Sequence, residues 1–587
     1  GFYAVGSGPQ GSSPSKNMSN ISSKVRAVYE ALEMRKNKQA LKLLGPLLQK
    51  KAGNPQLLIL KALALVRVGK QEEALQLAHE LKSQRQVEAD ETLLNNLAIV
   101  FREAGAASEA TECFKSALNK EPNNEELALC LFAAYGRERD FLKQQQLAQK
   151  LQKQFGREQY ALWAIVATTL QVMEGAPPKL LFLTERLMAK RAEESKLNSY
   201  EEMRLYLEIL ERQGKLAEAV QILESPIGDN YTSRIERLQT KARLLFNNGN
   251  WKEARGVYME LMTVDEGQVK GKEEWCHVRG VLDCIMREKN FPVPSNAPQG
   301  GSVGGMSIAI APVDNAQEDF EWIMREGEVM VDFLLKNQTG EVKTRTPDLA
   351  AVELYTRLLA CCPASLSIHK DILTKSMDAI YRYVEKFCTK DMCAYDLVVP
   401  LQRFPVDQHQ TILDKLKPLG GSGPHNDDSD DLESVCLRFG TMTKLSRMLG
   451  QHTLIVPDDK KFIQEVHQHL HATLSCVKRL KRKPGYPRDR TPSDDNALVA
   501  SRLLFDKFCQ TRDESYLVDA IIVARWGLHV SPTNFQFKIL LLKLYRSLGA
   551  FEAMHEVYTE LDVKHILWDT LTYLILPASL QWCHMSK

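Results

Sequence analysis

The sequence predicts an all-α chain: a solenoid of helix–turn–helix repeats with an irregular helical middle and loop insertions. Three observations predict it. From Lys24 onward apolar residues fall at i, i+3, i+4 and i+7, the helical spacing, with almost no alternating strand pattern. Alanines that follow a turn recur at Ala40, Ala74 and Ala110, 34 and 36 residues apart, and again at Ala219 and Ala254, 35 apart. Pro/Gly/Ser-rich breaks interrupt this pattern at 289–317, 417–431 and 481–495.

Residues 1–22 are Gly/Ser/Pro-rich, lack an apolar signal-peptide core and are expected to form a disordered tail, with Met18 the candidate natural start. Residues 23–265 are expected to form the first solenoid. A period near 34 is that of the tetratricopeptide repeat, a helix–turn–helix unit. The third unit is clearest: Leu94, Leu97, Ala98, Phe101, Ala110, Phe114, Ala117 and Pro122 occupy its packing positions. Small side chains at Ala98, Ala110 and Ala117 let two helices approach, the phenylalanines fill the space beside them, and Pro122 ends the second helix. One such unit cannot bury its own apolar face, so the units must stack.

An irregular helical region, 266–416, contains the linker 289–317. An acidic, Gly-rich linker follows at 417–431, then helices and a basic linker over 432–495. Repeat-like helices resume over 496–574, where "SLGAFEAMHEVYTEL" (Ser547 to Leu561) repeats the grammar of "RVGKQEEALQLAHEL" (Arg67 to Leu81). Residues 575–587 read as a divergent tail.

Composition narrows the function. The 587 residues carry 76 Lys and Arg against 74 Asp and Glu, a net charge of +2, which argues against coating DNA. Twelve cysteines without paired spacing read as reduced core residues and favour the cytosol or nucleus, the cytoplasm being the expected compartment. The longest uncharged apolar stretch, Tyr160 to Met173, is shorter than the roughly 20 residues that span a bilayer, so no membrane is predicted.

Candidate chemistry is sparse. "REAGAA" (Arg102 to Ala107) fits the loose R-x-x-G-x-A pattern that cradles a pyrophosphate, but it joins the two helices of the best repeat and reads as a turn. His467 and His471 share a helix face and flank His469, yet no Cys or acidic residue completes a metal set. Cys361, Cys362, Cys388 and Cys393 lack CxxC pairing, and "GGSVGG" (Gly300 to Gly305) lacks the Lys-Ser/Thr of a phosphate loop. No catalytic residue, cofactor or metal is predicted. Two basic stretches stand out. Residues 24–52 hold eight basic residues, among them Lys24, Arg26, Arg35, Lys36, Lys38 and Lys42, against Glu30 and Glu33, a local charge of +6. "VKRLKRKPGYPRDR" (Val477 to Arg490) is the second. Either could meet RNA phosphates.

Specific strings resemble the auxiliary, non-catalytic subunit of the N-terminal acetyltransferase B (NatB) complex. "VRAVYEALEMRKNKQALKLLGPLLQK" and "LKALALVRVGKQEEALQLAHEL" are similar to that family's first repeats. "YVEKFCTKDMCAYDL", with Phe387, Cys393, Asp396 and Leu397, looks like its "FG-x-K-x-C-x-x-x-DL" region. Most specific is Ser531 to Leu574, "SPTNFQFKILLLKLYRSLGAFEAMHEVYTELDVKHILWDTLTYL". The likeness departs at "ILPASLQWCHMSK", where family members continue with further helices. The resemblance implies a non-enzymatic scaffold. It would form a heterodimer with the catalytic subunit of NatB and dock it at the ribosome, for acetylation of chains starting Met-Asp, Met-Glu, Met-Asn or Met-Gln. It places the partner contact around 345–400 and 531–574, at Phe387, Cys393, Asp396, Leu397, Phe537, Lys538, Leu541, Tyr545 and Phe551. The basic residues of 24–52 would face the ribosome. The alternatives are the auxiliary subunit of the NatA complex and a general repeat adaptor of another protein or ribonucleoprotein assembly.

Overall fold

The computed structural model describes residues 16–88, 90–266, 269–271, 274–293, 316–337, 344–390, 392–420, 432–451, 458–480, 491, 493–563 and 570–581. They form two compact units, 1–232 and 233–587, which divide the expected 23–265 solenoid after Thr232. The expected linkers 289–317, 417–431 and 481–495 lie mostly outside the described residues.

The first unit is a row of helix pairs. Lys16–Glu33 packs on Asn37–Lys50, Pro55–Val68 on Gln71–Lys82, Glu91–Glu103 on Ala107–Lys120, and Glu125–Arg137 on Phe141–Phe155. Glu158–Met173 with Leu180–Glu193 and Tyr200–Arg212 with Leu216–Glu224 complete it. The first helix begins at Lys16, inside the stretch expected to be a tail.

Local sequence explains the repeat. A side-chain oxygen opens the first helix of several pairs: Asn54 accepts from the Leu57 amide at 3.1 Å, Asp90 from Thr92 at 2.9 Å, and Asn124 from Leu127 at 3.2 Å. Between the helices of successive pairs the backbone turns left-handed at Arg35, Gly69, Gly105, Arg139, Gly175 and Gly214. Gly105 takes this conformation without a steric cost, whereas Arg139 holds it at φ 59°. The small residues do what their spacing predicts: Ala40, Ala74 and Ala110 are all buried, and one continuous core runs from Val28 to Tyr160. Charged side chains also stitch each repeat to the next. Arg67 reaches Glu103 at 2.6 Å, Lys82 reaches Glu109 at 2.8 Å, and Arg191 reaches Glu202 at 3.4 Å.

In the second unit, the pair Arg234–Asn247 and Trp251–Leu261 is followed by the one strand ladder among the described residues, Asp265–Glu266 with Val269–Lys270. The middle region, poor in repeat grammar, is built of helices from Trp275 onward among the described residues. Trp275–Glu288, Gln317–Lys336, Thr346–Cys361 and His369–Phe387 pack into a core spanning Met262 to Leu449. Gly327 sits against Leu354, too close for a side chain there. Leu432–Met448 and Asp459–Leu480 lead to Asp494–Thr511, Glu514–Val530, Phe535–Leu548 and Phe551–Glu560, which share a second core from Phe462 to Ala578. That core extends into the expected tail, since Leu576–Gln581 is helical and Ala578 is buried.

Candidate partner-docking site

The "CAYDL" string occupies a short helix, Cys393–Asp396, directly before Val398–Gln402. Cys393 and Leu397 are wholly buried and Phe387 nearly so. The Phe387 ring centroid lies 5.1 Å from that of Tyr383, and burial pushes the Cys393 thiol up to about 12. Asp396 is spent inside the chain: the Tyr383 hydroxyl donates to its Oδ2, and Arg345 pairs with the same oxygen. Burial and this carboxylate both raise the Tyr383 pKa. Phe387, Cys393 and Leu397 therefore face the core, while Asp396, partly exposed, is held between Tyr383 and Arg345.

The outward direction belongs to residues the sequence reading passed over. Met392, Tyr395 and Val399 are 49%, 47% and 54% exposed, at i, i+3 and i+7, so they form one apolar stripe on the surface of the same string. Lys444 Nζ lies over the Tyr395 ring, 5.7 Å from its centroid, while pairing with Asp495 at 2.5 Å. The signal was available: apolar residues at helical spacing that are out of phase with Cys393 and Leu397.

The 531–574 string shows the same division. Phe537 and Leu541 are fully buried, Tyr545 and Phe551 nearly so. Phe537 packs where Gly527 leaves room, because a Cβ there would run into its ring. Tyr545 accepts a hydrogen bond from Arg525 Nε at 2.7 Å, with the guanidinium 5.3 Å from the ring. Lys538 donates to the Glu560 carbonyl at 2.8 Å, tying two helices together. All five thus serve the core or its edge in this chain. The exposed members of this string include Phe535 and Leu548.

The N-terminal basic residues are where a polyanion could reach them. Lys24, Arg26, Arg35, Lys36, Lys38 and Lys42 are all exposed on the first helix pair. Arg26 pairs with Glu30 at 3.1 Å, and none of the other five makes an ion pair among the described residues. Of the second basic stretch, Lys478 is exposed and residues 481–490 lie outside the described residues.

The remaining motifs are structural. The amides of Ala104, Gly105 and Ala106 in "REAGAA" donate to Val100, Arg102 and Phe101, so they are committed to the turn. His469 is buried with Nδ1 2.9 Å from Asn496 Oδ1, while His467 and His471 face solvent. The described residues contain no cluster of three metal-binding side chains. Cys361, Cys362 and Cys388 are buried. "GGSVGG" lies outside the described residues. No described helix is long and apolar enough to cross a membrane.

Comparison with known proteins follows the same two regions. Residues 22–262 match the sequence model of the N-terminal repeats region of Psidin. Residues 323–587 match that of the non-catalytic subunit of the N-acetyltransferase B complex, NatB, and so include the buried "CAYDL" string and both sides of the 531–574 helices. Residues 323–587 are thus similar to the NatB non-catalytic subunit family. The match runs to Lys587. Among relatives, the human NatB auxiliary subunit N-alpha-acetyltransferase 25 is 28% identical over 572 residues, 94% of this chain and 55% of its own length. The Arabidopsis thaliana NatB auxiliary subunit NAA25 is 28% identical over 573 residues, 96% of this chain and 51% of its own. The chain thus spans about half the length of these curated relatives. In fold, it is similar to a chain of the Naa15/Naa10 structure bound to HypK-THB, with a TM-score of 0.54 at 14% identity, covering 92% of this chain and 68% of that one.

Proposed function

We propose that this chain acts as a non-catalytic auxiliary subunit of a NatB complex in the cytoplasm. It scaffolds a catalytic acetyltransferase subunit and carries it to the ribosome, where chains starting Met-Asp, Met-Glu, Met-Asn or Met-Gln are acetylated. The observation that carries the reading is the match of 323–587 to the NatB non-catalytic subunit, continuous with relatives over 94% of the chain. A stacked helical array suits the role because it presents a wide preformed surface at little ordering cost. The apolar stripe Met392, Tyr395 and Val399 is the partner contact in this reading, and the exposed cations of 24–42 are the ribosome contact.

The test is affinity purification of the tagged chain from its native cytosol, with quantitative mass spectrometry of the captured proteins. A small acetyltransferase recovered near one-to-one, with ribosomal proteins, is the expected result. Recovery of the NatA catalytic subunit, or of other partners with no acetyltransferase, overturns it.

A further inference from the structure

A cavity of about 700 Å³ opens where Leu432–Met448, Asp494–Thr511 and Phe535–Leu548 meet the turn Thr572–Leu574. Four cations line it, Arg447, Arg502, Lys543 and Arg546, against the single carboxylate of Asp506, a net charge of +3. Arg447 already spends its guanidinium on Asp506, with Nε 3.0 Å from Oδ2. Arg502, Lys543 and Arg546 form no ion pair and no side-chain hydrogen bond among the described residues. Burial, reinforced by neighbouring Arg447, lowers the proton affinity of Arg502, the signature of a desolvated cation without a full counter-charge. Lys543 is held over the cavity by the Phe505 ring, 4.9 Å from its centroid.

The rest of the lining is apolar. Phe505, Ile539, Leu542 and Tyr573 face the same space, and Tyr573 is more than half exposed. A bare polyanion would leave these side chains uncovered, whereas carboxylates with apolar neighbours satisfy both halves of the lining. We propose that this cavity is a binding site for an acidic peptide segment of a partner protein, with carboxylates seated on Arg502, Lys543 and Arg546 and an adjacent apolar side chain against Phe505 and Tyr573. The proposal stands on the cavity alone and does not depend on the NatB reading.

The experiment is fluorescence anisotropy on the purified full chain with a labelled peptide of alternating Glu and Leu. A peptide of alternating Lys and Leu, polyglutamate and tripolyphosphate are the comparison probes. The Glu–Leu peptide is expected to bind saturably and more tightly than polyglutamate, and the Lys–Leu peptide not at all. Lys543 and Arg546 are exposed, so replacing both by Glu leaves the fold intact, as an unchanged melting temperature verifies. That double variant is expected to lose about tenfold or more in affinity, and Arg502→Gln a similar amount. Absence of binding, equal binding of polyglutamate, preference for tripolyphosphate, or affinity unmoved by these substitutions each overturns the proposal.

Discussion

Arg403 grips Glu353 from both ends of the carboxylate, Nη1 to Oε2 at 2.9 Å and Nη2 to Oε1 at 3.0 Å. Glu353 also accepts from Arg357 Nε at 2.6 Å, one helical turn along, and Arg357 reaches across to Asp283 at 2.5 Å. The cluster thereby joins Trp275–Glu288 to Thr346–Cys361 and to the segment after Gln402, inside a region whose sequence shows little repeat regularity.

Burial alone would raise the Glu353 pKa, but Arg357 and Arg403 outweigh it and hold the carboxyl at about 2. A folded-state pKa below the ordinary value of about 4.3 contributes stability that is present above that value. The contribution declines as pH falls from about 4.3 toward about 2. Thermal denaturation from pH 7 to 2.5 should show this loss, and Glu353→Gln should flatten it. At pH 7 the same substitution should cost about 3–5 kcal/mol, because it strands buried guanidinium charge. Equal acid sensitivity in the variant and the parent chain would assign the effect elsewhere.

Gly527→Ala should destabilise the C-terminal helices by about 1–3 kcal/mol, since the new methyl meets the Phe537 ring in a filled core. Gly105→Ala tests backbone conformation instead, at about 1 kcal/mol, because its Cβ would find open space apart from Gln71. Chemical denaturation of both variants measures the difference.

Replacing Met392 and Val399 by Asp should leave the melting temperature nearly unchanged, since both are exposed, yet reduce recovery of the acetyltransferase at least about tenfold. Leu397→Ala should do the reverse in stability, costing about 2–5 kcal/mol through a cavity. Quantitative pull-down beside differential scanning calorimetry separates the two roles. Undiminished capture by the Asp variant would remove this stripe as the contact.

Charge reversal at Lys36, Lys38 and Lys42 should weaken co-sedimentation with ribosomes and reduce its salt dependence, by a slope of roughly 0.7–0.9 for each phosphate no longer neutralised. Stability should shift by less than about 0.5 kcal/mol. Unchanged co-sedimentation would leave this face as solvated surface.

Cysteine labelling at pH 8 offers a check on packing. Cys509 and Cys276 are exposed and should react with iodoacetamide in the native protein. Cys393, buried with its thiol held at about 12, should react only after denaturant is added.

Much of the fold was legible because each repeat is local. The alanines at Ala40, Ala74 and Ala110 report a period that stacking requires, and the structure buries all three. The middle region was legible only as helix. Its long-range ties include Arg357 to Asp283 and Arg403 to Glu353, 74 and 50 residues apart, and no spacing rule pairs them. The cavity around Arg502 was equally hidden, since its four cations come from three helices.

The sequence by itself determined the class of the protein, because helical spacing, a period near 34 and two family-specific strings are one-dimensional facts. Tertiary structure decided which member of each string meets the outside. Phe535 and Phe537 stand two residues apart in one helix, roughly 200° around its axis, and one is 59% exposed while the other is wholly buried. The same holds for Tyr395 and Cys393. Residue type cannot make that choice, since both phenylalanines gain by leaving water. Only the neighbouring helix, present on one side and absent on the other, selects which of them does.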